Sequence, residues 1–399
     1  MDEYGLYLHI PFCQHRCAYC DFNTYAGLEH LITEYVEALC REVKYLSAYT
    51  QDQIFVRTIF FGGGTPSLLP EQQVEKILAN IHDRFVVSAA AEITLEANPG
   101  TVNLAYLRNL SSLGINRLSF GMQSAHFAEL QMLERTHGNV DVVNGVQWAR
   151  MAGIENINLD LMFGLPDQSV ETWEKSLRMA CKLEPSHFSL YALTLEHGTP
   201  MQAWVARGLM SKPDSDVAAE MYELGSEFMQ THGYQQYEIS NWAKWEEGKG
   251  LLSCQHNLQY WRNLAYLGLG AGAHGYANNM RVANVLAPAQ YISKMSLSNE
   301  RRNPADVPQD FPKTPATSNI NPVNKETEMG ETMMMGLRLV QEGVSQETFF
   351  NRFGVALVDV YGPEIKILLQ QGLLEWQGDI LRLTAHGRLL GNQVFLKFI

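Results

Sequence analysis

Three of the six cysteines lie close together near the start of the sequence. Cys13, Cys17 and Cys20 have the spacing CxxxCxxC. Three thiolates on one loop can ligate three irons of a cubane 4Fe-4S cluster, and the fourth iron then has an open position for an added chelate. A structural zinc site is the alternative, because His9 or His15 could complete a closed tetrahedron.

The remaining cysteines indicate a reducing compartment. Cys40, Cys181 and Cys254 are scattered, whereas a disulfide scaffold would be denser and its chain shorter. The first residues are acidic and are not followed by the basic and apolar regions of a secretory signal. We therefore expect a cytoplasmic protein.

The elements that position the cysteines follow an alternating pattern. Short β-rich runs occur at 6–10, 58–61, 92–96, 117–120, 156–162 and 187–193, and helical spacing separates them at 31–46, 71–85 and 170–183. This alternation predicts βαβ units and a parallel sheet. Six units favour an α/β partial (β/α)6 TIM-like barrel, with a doubly wound sheet as the alternative.

Glycine, cysteine or polar residues follow each of the six predicted strands. After the first strand comes the cysteine loop, and after the second comes the run GGGT at 62–65. Glu96, Gln123 and Asp160 lie at the ends of later strands. Such residues also occur in ordinary strand-to-helix turns, but their recurrence predicts an active site at the carboxyl edge of the sheet.

Composition excludes several classes of protein. The chain has 399 residues, 46% of them apolar and 18% charged, which predicts two or three domains with a sizeable core. A net charge of −13 disfavours a general nucleic-acid binder. No run of 18 apolar residues occurs, so no membrane span is expected.

The second half of the chain predicts a linker and a small module. Prolines crowd residues 304–322, which indicates a linker or extended loop. Helical patterns at 326–339, 346–353 and 356–371, with a hairpin at 373–376 and 380–383, resemble a winged-helix module. Few basic residues make a packing or partner role more plausible than DNA binding. The predicted segments are 1–235, 236–325 and 326–399.

The motifs together resemble a known superfamily. CxxxCxxC with the aromatic Tyr19 before its last cysteine, on the end of the first strand, resembles the radical S-adenosylmethionine superfamily. The glycine run at 62–65, Glu96 in LEANP, Gln123 in SFGMQ, Arg135 in RTH and Asp160 in NLDLMFGLP resemble the oxygen-independent coproporphyrinogen III oxidase-like group. The resemblance covers nearly the whole chain, including the C-terminal module.

The resemblance implies a 4Fe-4S cluster with S-adenosylmethionine on the open iron. The implied S-adenosylmethionine site consists of Tyr7, Tyr19, Gly63, Gly64, Thr65, Glu96, Gln123, Arg135 and Asp160. Glu96 would pair with the ammonium and Arg135 with the carboxylate, while the glycines permit close backbone approach. Gln123 and Asp160 suit the ribose hydroxyls or the sulfonium neighbourhood. The two tyrosines could pack beside the cluster and adenine. Each residue alone could equally make a structural hydrogen bond or salt bridge.

Two features favour a carrier over an oxidase within that group. The oxidases resemble CxxxCxxCxC, whereas this chain has Phe22 at the position of the extra cysteine. The cysteine loop also begins at residue 13, which leaves no room for the oxidases' N-terminal extension. We therefore expect no coproporphyrinogen decarboxylation.

A second motif matches the HNxxYW of heme chaperones in the group. It comprises His256, Asn257, Tyr260 and Trp261. Heme needs an axial ligand and flat apolar contacts, which histidine, tyrosine and tryptophan can supply. Asn257 could orient the imidazole or bind a propionate. The alternative is a core histidine in an aromatic loop.

Other residues near this motif are weaker candidates. His274 and Cys254 could also ligate heme iron, and the glycine-rich segment 268–275 could flank the same site.

The resemblance implies a heme chaperone that belongs to porphyrin metabolism and transfers heme to an acceptor hemoprotein, for example a respiratory one. The alternative is an oxygen-independent coproporphyrinogen III dehydrogenase. A pure interaction module disagrees with the intact cysteine loop. The sequence leaves open the identity of the acceptor, dimerisation and a peripheral membrane contact.

Overall fold

The computed structural model describes residues 3–48, 54–297 and 311–399. The chain groups into two compact units. The first, here called the barrel unit, contains Met1–Phe228 and Ala265–Asn321, and the second, the C-terminal unit, contains Met229–Leu264 and Pro322–Ile399. The division into three segments, 1–235, 236–325 and 326–399, remains a prediction. Residues 265–321 of the middle segment belong to the barrel unit, and the rest of that segment belongs to the C-terminal unit.

The strands of the described residues are, in chain order, β1 (Glu3–Ile10), β2 (Phe12–Cys13), β3 (Tyr25–Ala26), β4 (Phe55–Gly63), β5 (Val86–Ala97), β6 (Arg117–Gln123), β7 (Asn156–Phe163), β8 (His187–Ala192), β9 (Tyr234–Glu238), β10 (Asn241–Glu246), β11 (Gly250–Leu251), β12 (Tyr266–Leu269), β13 (His274–Ala277), β14 (Met280–Asn284), β15 (Thr317–Pro322), β16 (Val344–Ser345), β17 (Leu374–Gln377) and β18 (Ile380–Leu383).

The α-helices are α1 (Ile32–Ser47), α2 (Glu71–His82), α3 (Leu104–Ser112), α4 (Phe127–Met132), α5 (Asn139–Met151), α6 (Val170–Cys181), α7 (Pro200–Ala206), α8 (Ser215–Thr231), α9 (Gln255–Trp261), α10 (Pro288–Leu297), α11 (Lys325–Gly336), α12 (Gln346–Phe353), α13 (Leu357–Gln370), α14 (Ala385–Leu389) and α15 (Gly391–Phe395). None of the helices in the described ranges has the length and apolar character that crossing a membrane requires.

The barrel unit is built on a parallel sheet. Its strands lie in the order β8-β7-β6-β5-β4-β1-β12, and each neighbouring pair is parallel. The six strands predicted from the sequence are all present, which confirms the α/β barrel class. The strand β12 is an addition: it pairs with β1 in a segment for which the sequence predicted no strand. The sheet continues through β13, β14 and β15.

The barrel strands alternate apolar and polar residues, and both sets are buried. On β6 and β7 the apolar residues Leu118, Phe120, Ile157 and Leu159 are fully buried, as expected for a parallel sheet covered by helices. The residues between them are polar and hydrogen-bond to one another across the strands, as where Asn158 donates to Ser119 Oγ at 2.7 Å. These buried polar residues continue to the predicted site, because Ser119 Oγ donates to Asp160 Oδ2 at 3.2 Å.

The C-terminal unit contains the predicted helices and hairpin. The strands β17 and β18 pair antiparallel, and β16 pairs with β18. Buried side chains from the helices and hairpin form one core, which includes Met333, Phe349 and Leu381. The predicted helix at 356–371 is kinked, because Tyr361 has non-helical dihedral angles two residues before Pro363.

The proline-rich segment is only partly a loop. Pro304 and Pro308 lie outside the described residues. The end of the segment forms the edge strand β15, which the sequence did not predict. Proline is tolerated there because an edge strand does not need every backbone N–H for the ladder.

Candidate functional site

The three clustered cysteines lie on a loop that leaves the carboxyl end of β1. The loop is closed by β2 pairing with β3 and by a hydrogen bond from Tyr25 N to Pro11 O at 2.8 Å. Within it, Cys20 N donates to Cys17 O at 3.1 Å. The backbone therefore holds the cysteines at one end of the barrel.

Each cysteine sulfur has a different polar neighbour. Thr65 Oγ1 donates to Cys13 Sγ at 3.6 Å, and Arg135 Nη1 donates to Cys17 Sγ at 3.6 Å. The Cys20 Sγ lies 3.9 Å from Thr24 Oγ1. Burial raises the pKa of the Cys13 and Cys20 thiols. A hydrogen-bond donor beside a sulfur, as on Cys13 and Cys17, stabilises a ligating thiolate.

The histidines near the cysteines are engaged elsewhere. His9 Nε2 donates to Asn23 O at 2.9 Å, because a carbonyl can only accept, and His9 Nδ1 lies 3.1 Å from the Tyr7 hydroxyl. His15 Nε2 lies 3.2 Å from Glu134 Oε2. Among the residues that the structure describes, no three His, Cys, Asp or Glu side chains are grouped so as to hold a single metal ion. His9 and His15 are therefore hydrogen-bonded to Asn23 and Glu134, respectively.

The glycine run after β4 is packed against β1 and the cysteine loop. A Cβ on Gly63 would lie 2.5 Å from His9 Cε1, and a Cβ on Gly64 would lie 2.6 Å from Phe12 O. Gly63 also has a φ of +111°, which favours glycine. The protein's own chain therefore requires these glycines, independently of any ligand that approaches them.

Glu96 and Asp160 are two neighbouring acidic groups on the polar face. Glu96 Oε2 accepts a hydrogen bond from Gly63 N at 3.2 Å. Burial, together with the charge of Asp160, raises the pKa of Glu96 to about 8. Burial also raises the pKa of Asp160, against hydrogen bonds from Asn158, Ser189 and Ser119. A cationic group that entered here would relieve the repulsion between the two carboxylates.

The side chains of Gln123 and Arg135 lie close together at the end of β6, where both lie next to Gly121. Arg135 Nη2 donates to Gly121 O at 2.9 Å, while its Nε is buried without a hydrogen-bond partner in the described structure. Gln123 has a φ of +63°, which is unusual for a residue with a side chain. The unpaired N–H of Arg135 fits an added acceptor such as a carboxylate.

The two tyrosines occupy different environments. Tyr7 stacks on Phe60, with ring centroids 6.2 Å apart, and its hydroxyl contacts His9. Tyr19 packs against a buried apolar cluster that includes Ala18, Leu133 and Met162. Burial raises the pKa of both hydroxyls. Of the predicted S-adenosylmethionine residues, Thr65 and Arg135 donate hydrogen bonds to sulfurs of the clustered cysteines.

Sequence reasoning missed Asn23, which contacts the glycine-rich segment 268–275. That segment belongs to the barrel unit, where it includes the end of β12 and the loop beside β1. Asn23 Nδ2 donates to Ala271 O at 3.1 Å and to Leu286 O at 2.9 Å, and Asn23 Oδ1 accepts from Tyr25 at 3.1 Å. Asn23 therefore ties the end of the cysteine loop to the β12 loop. His274 lies on β13 and is exposed.

Glu42 on α1 is a second residue that sequence reasoning missed. Its side chain is fully buried and accepts hydrogen bonds from Gly270 N at 2.8 Å, Asn284 at 2.8 Å, Tyr291 at 2.6 Å and Thr314 at 2.8 Å. These bonds fix the loop that follows β12. No local pattern marks Glu42 as different from an ordinary helix-surface glutamate.

The predicted heme residues share the short helix α9 of the C-terminal unit. His256 is 1% exposed, and its Nε2 lies 2.8 Å from the Tyr260 hydroxyl. The two rings meet edge to face with centroids 4.9 Å apart. Asn257 is half-buried on the same helix, and the buried Cys254 precedes it. One of the two imidazole nitrogens of His256, Nε2, is therefore already hydrogen-bonded.

Trp261 at the end of α9 has one face covered. The guanidinium of Arg338 lies 4.4 Å from the centroid of its ring. Its other neighbours include Tyr237, Leu258 and Leu339. The indole Nε1 is buried and has no hydrogen-bond partner in the described part of the chain. Trp261 is thus part of a packed cluster as well as of the motif.

Comparison with known sequence families agrees with this geometry. The sequence model of the radical SAM superfamily matches residues 7–180, and that of the HemN C-terminal domain matches residues 323–390. The solved structure of coproporphyrinogen III oxidase (HemN) from Escherichia coli is similar in fold, with a TM-score of 0.82 and 20% identity over 100% of this chain and 90% of that one. The fold and site define a radical SAM protein with a HemN-type C-terminal domain.

Full-length relatives show to which family within the superfamily the chain belongs. Heme chaperone HemW of Bacillus subtilis is 38% identical over 98% of each chain, and HemW of Escherichia coli is 35% identical over 99% of this chain and 98% of its own. Radical S-adenosyl methionine domain-containing protein 1, mitochondrial, of Mus musculus is 36% identical over 99% of this chain and 87% of its own. The chain therefore belongs to the HemW family.

Proposed function

We propose that this protein binds heme and transfers it to acceptor hemoproteins. The observation that carries the proposal is full-length similarity to proteins named heme chaperone HemW, combined with an intact HNxxYW helix at α9. His256 would be the axial ligand, and Tyr260 would supply an aromatic contact beside it. Because His256 Nε2 is hydrogen-bonded to Tyr260, iron ligation through Nε2 would require the hydroxyl to move away.

The proposed resident cofactors are a 4Fe-4S cluster and S-adenosylmethionine. Cys13, Cys17 and Cys20 would each ligate one iron, since their sulfurs lie on one loop and have separate polar neighbours. When bound, the cluster supplies one-electron chemistry and an open iron that can hold the amino and carboxylate groups of S-adenosylmethionine.

The residues around the loop fit that ligand. Glu96 would accept from the amino group, and Arg135 would offer its unpaired Nε to the carboxylate. Asp160 and Gln123 lie on neighbouring strand ends and would face the ribose or the sulfonium. Glu96 and Asp160 together favour a positively charged group in the polar face of the barrel.

Phe22 supports the carrier over the oxidase. Its side chain is 63% exposed just after the cysteine loop, where the oxidase pattern has a further cysteine. An exposed phenyl ring has none of the redox or ligand chemistry of a thiol. We therefore propose that the protein does not convert coproporphyrinogen III.

The test combines two assays on one anaerobically reconstituted sample. Heme titration should give stoichiometric binding, and incubation with coproporphyrinogen III, S-adenosylmethionine and a reductant should give no protoporphyrinogen IX. Formation of that product would overturn the carrier proposal in favour of the dehydrogenase. Transfer is tested separately by incubating the heme-loaded protein with an apo-hemoprotein and following the acceptor's spectrum.

A further inference from the structure

Three arginines lie near the end of helix α9 in the C-terminal unit, and each faces a glutamate. Arg262 donates twice to Glu342, at 2.8 Å and 2.8 Å. Arg352 donates to Glu328 at 3.0 Å and 2.6 Å. Both of these arginines thus have a carboxylate partner at full hydrogen-bonding distance.

Arg338 differs from the other two arginines. Its Nη2 lies 3.6 Å from Glu238 Oε2, which is an ion pair without a hydrogen bond. Within the described ranges, Arg338 Nε, Trp261 Nε1 and Glu238 Oε2 are all buried and lack a hydrogen-bond partner. Two N–H donors are therefore unsatisfied on side chains that are stacked 4.4 Å apart.

The position of Arg338 suits an incoming carboxylate. Its guanidinium lies over the Trp261 ring and 5.9 Å from the centroid of Phe395, so its alkyl and planar groups are held by aromatic packing. The side chain is 25% exposed, whereas that of Glu238 is fully buried. Burial raises the pKa of Glu238, and the charge of Arg338 opposes that shift.

We propose that Arg338 binds a carboxylate of heme, with Trp261 Nε1 as a second donor. This inference rests on the proposed heme-binding function and adds a carboxylate site to it. Heme carries two propionates, and a guanidinium is the side chain best suited to binding a carboxylate with two donors. The HNxxYW motif would then supply the iron ligand, and Arg338, which is distant from it in sequence, would fix the orientation of the macrocycle.

The test compares hemin with hemin dimethyl ester, in which both carboxylates are blocked. Arg338→Gln should weaken binding of hemin about tenfold or more, because a charge-assisted hydrogen bond is lost. Binding of the dimethyl ester should be unchanged by the same substitution. Equal weakening of both ligands would assign Arg338 a purely structural role and overturn the inference, as would unchanged hemin affinity.

Two further variants serve as controls for this comparison. Arg338→Gln leaves Glu238 buried without its counter-charge, so the double variant Arg338→Gln/Glu238→Gln tests the same loss in a better-balanced protein. Arg262→Gln removes an equal charge next to Trp261 from an exposed ion pair and should leave hemin affinity nearly unchanged. If Arg262→Gln weakens hemin as much as Arg338→Gln does, general charge explains the effect and the inference fails. If the wild type binds neither ligand, the proposed function itself is wrong.

Discussion

Arg135 Nη1 donates a hydrogen bond to Cys17 Sγ at 3.6 Å, although the two residues are 118 positions apart in the sequence. The preceding residue, Glu134, contacts His15 on the same cysteine loop at 3.2 Å. Glu134 has a φ of +55°, a conformation that residues with side chains rarely adopt. One turn after α4 thus places two consecutive side chains against the cysteine loop.

The Arg135 contact predicts an effect on cluster potential. A cation that donates to a ligating sulfur stabilises the more negative, reduced cluster, so Arg135→Gln should lower the midpoint potential. The measurement is a redox titration of the reconstituted protein without S-adenosylmethionine, followed by electron paramagnetic resonance. Arg16→Gln is the matched control, because Arg16 donates to the carbonyl of Cys20 and not to a sulfur. An equal shift of the midpoint potential in both variants would mean that the loss of a positive charge explains it, and that the hydrogen bond to the sulfur does not.

Each of the three clustered cysteines should be required for the cluster. Replacing Cys13, Cys17 or Cys20 by serine should abolish the absorption of the reconstituted 4Fe-4S cluster, since each supplies a separate iron ligand. Cys181→Ser is the control, because Cys181 lies at the end of α6 and outside the cysteine loop. Iron and sulfide analysis checks the result. A full cluster in the triple variant would contradict the assignment.

The raised pKa of Glu96 predicts how the binding of S-adenosylmethionine depends on pH. Its pKa is raised to about 8 in the ligand-free protein, so below that pH the group is mostly protonated and accepts poorly from an amino group. Binding should therefore release a proton, and affinity should rise as pH increases toward about 8, by up to about tenfold per unit. Anaerobic calorimetry in buffers of different ionisation enthalpy measures this release. Glu96→Gln should bind more weakly and keep only the pH dependence of the ligand's own amino group, which must lose its proton to ligate iron, whereas an unchanged profile would remove Glu96 from the site.

Glu42→Gln should destabilise the protein. The amide nitrogen of glutamine would face hydrogen-bond donors, so at least one buried group would lose its acceptor, at a cost of about 1–3 kcal/mol. Thermal unfolding should show a lower midpoint than in the wild type. The control is Glu37→Gln on the same helix, which breaks an exposed ion pair with Lys76 and should cost less than about 1 kcal/mol. Equal losses would mean that the Glu42 bonds contribute no more than a surface contact.

The sequence predicted what local patterns determine. Alternating periodicities identified the six barrel strands, and the cysteine spacing identified the loop, because both features lie within a few consecutive residues. The partnership of β12 with β1 could not be predicted, since it joins residues more than 250 positions apart and the strand has only four residues. The burial of Glu42 and the contact of Arg135 with Cys17 could not be predicted for the same reason. Each depends on segments that are distant in the sequence, and no local periodicity indicates which segments meet.

The hydrogen bond between His256 and Tyr260 changes what heme binding should look like. The Tyr260 hydroxyl oxygen lies 2.8 Å from His256 Nε2, which is the nitrogen that we propose as the iron ligand. His256→Ala should alter the heme spectrum and weaken retention, because the strongest directional contact to iron is lost. Tyr260→Phe keeps the aromatic ring but removes the competing hydroxyl, so heme should bind faster than to the wild type and with the same ligand signature. Stopped-flow mixing with hemin measures the rate, and the absorption spectrum reports the ligand.

Identical spectra for the wild type and His256→Ala would move the ligand to another residue, such as Cys254 or His274. Slower binding by Tyr260→Phe would mean that the hydroxyl assists the histidine instead of blocking it.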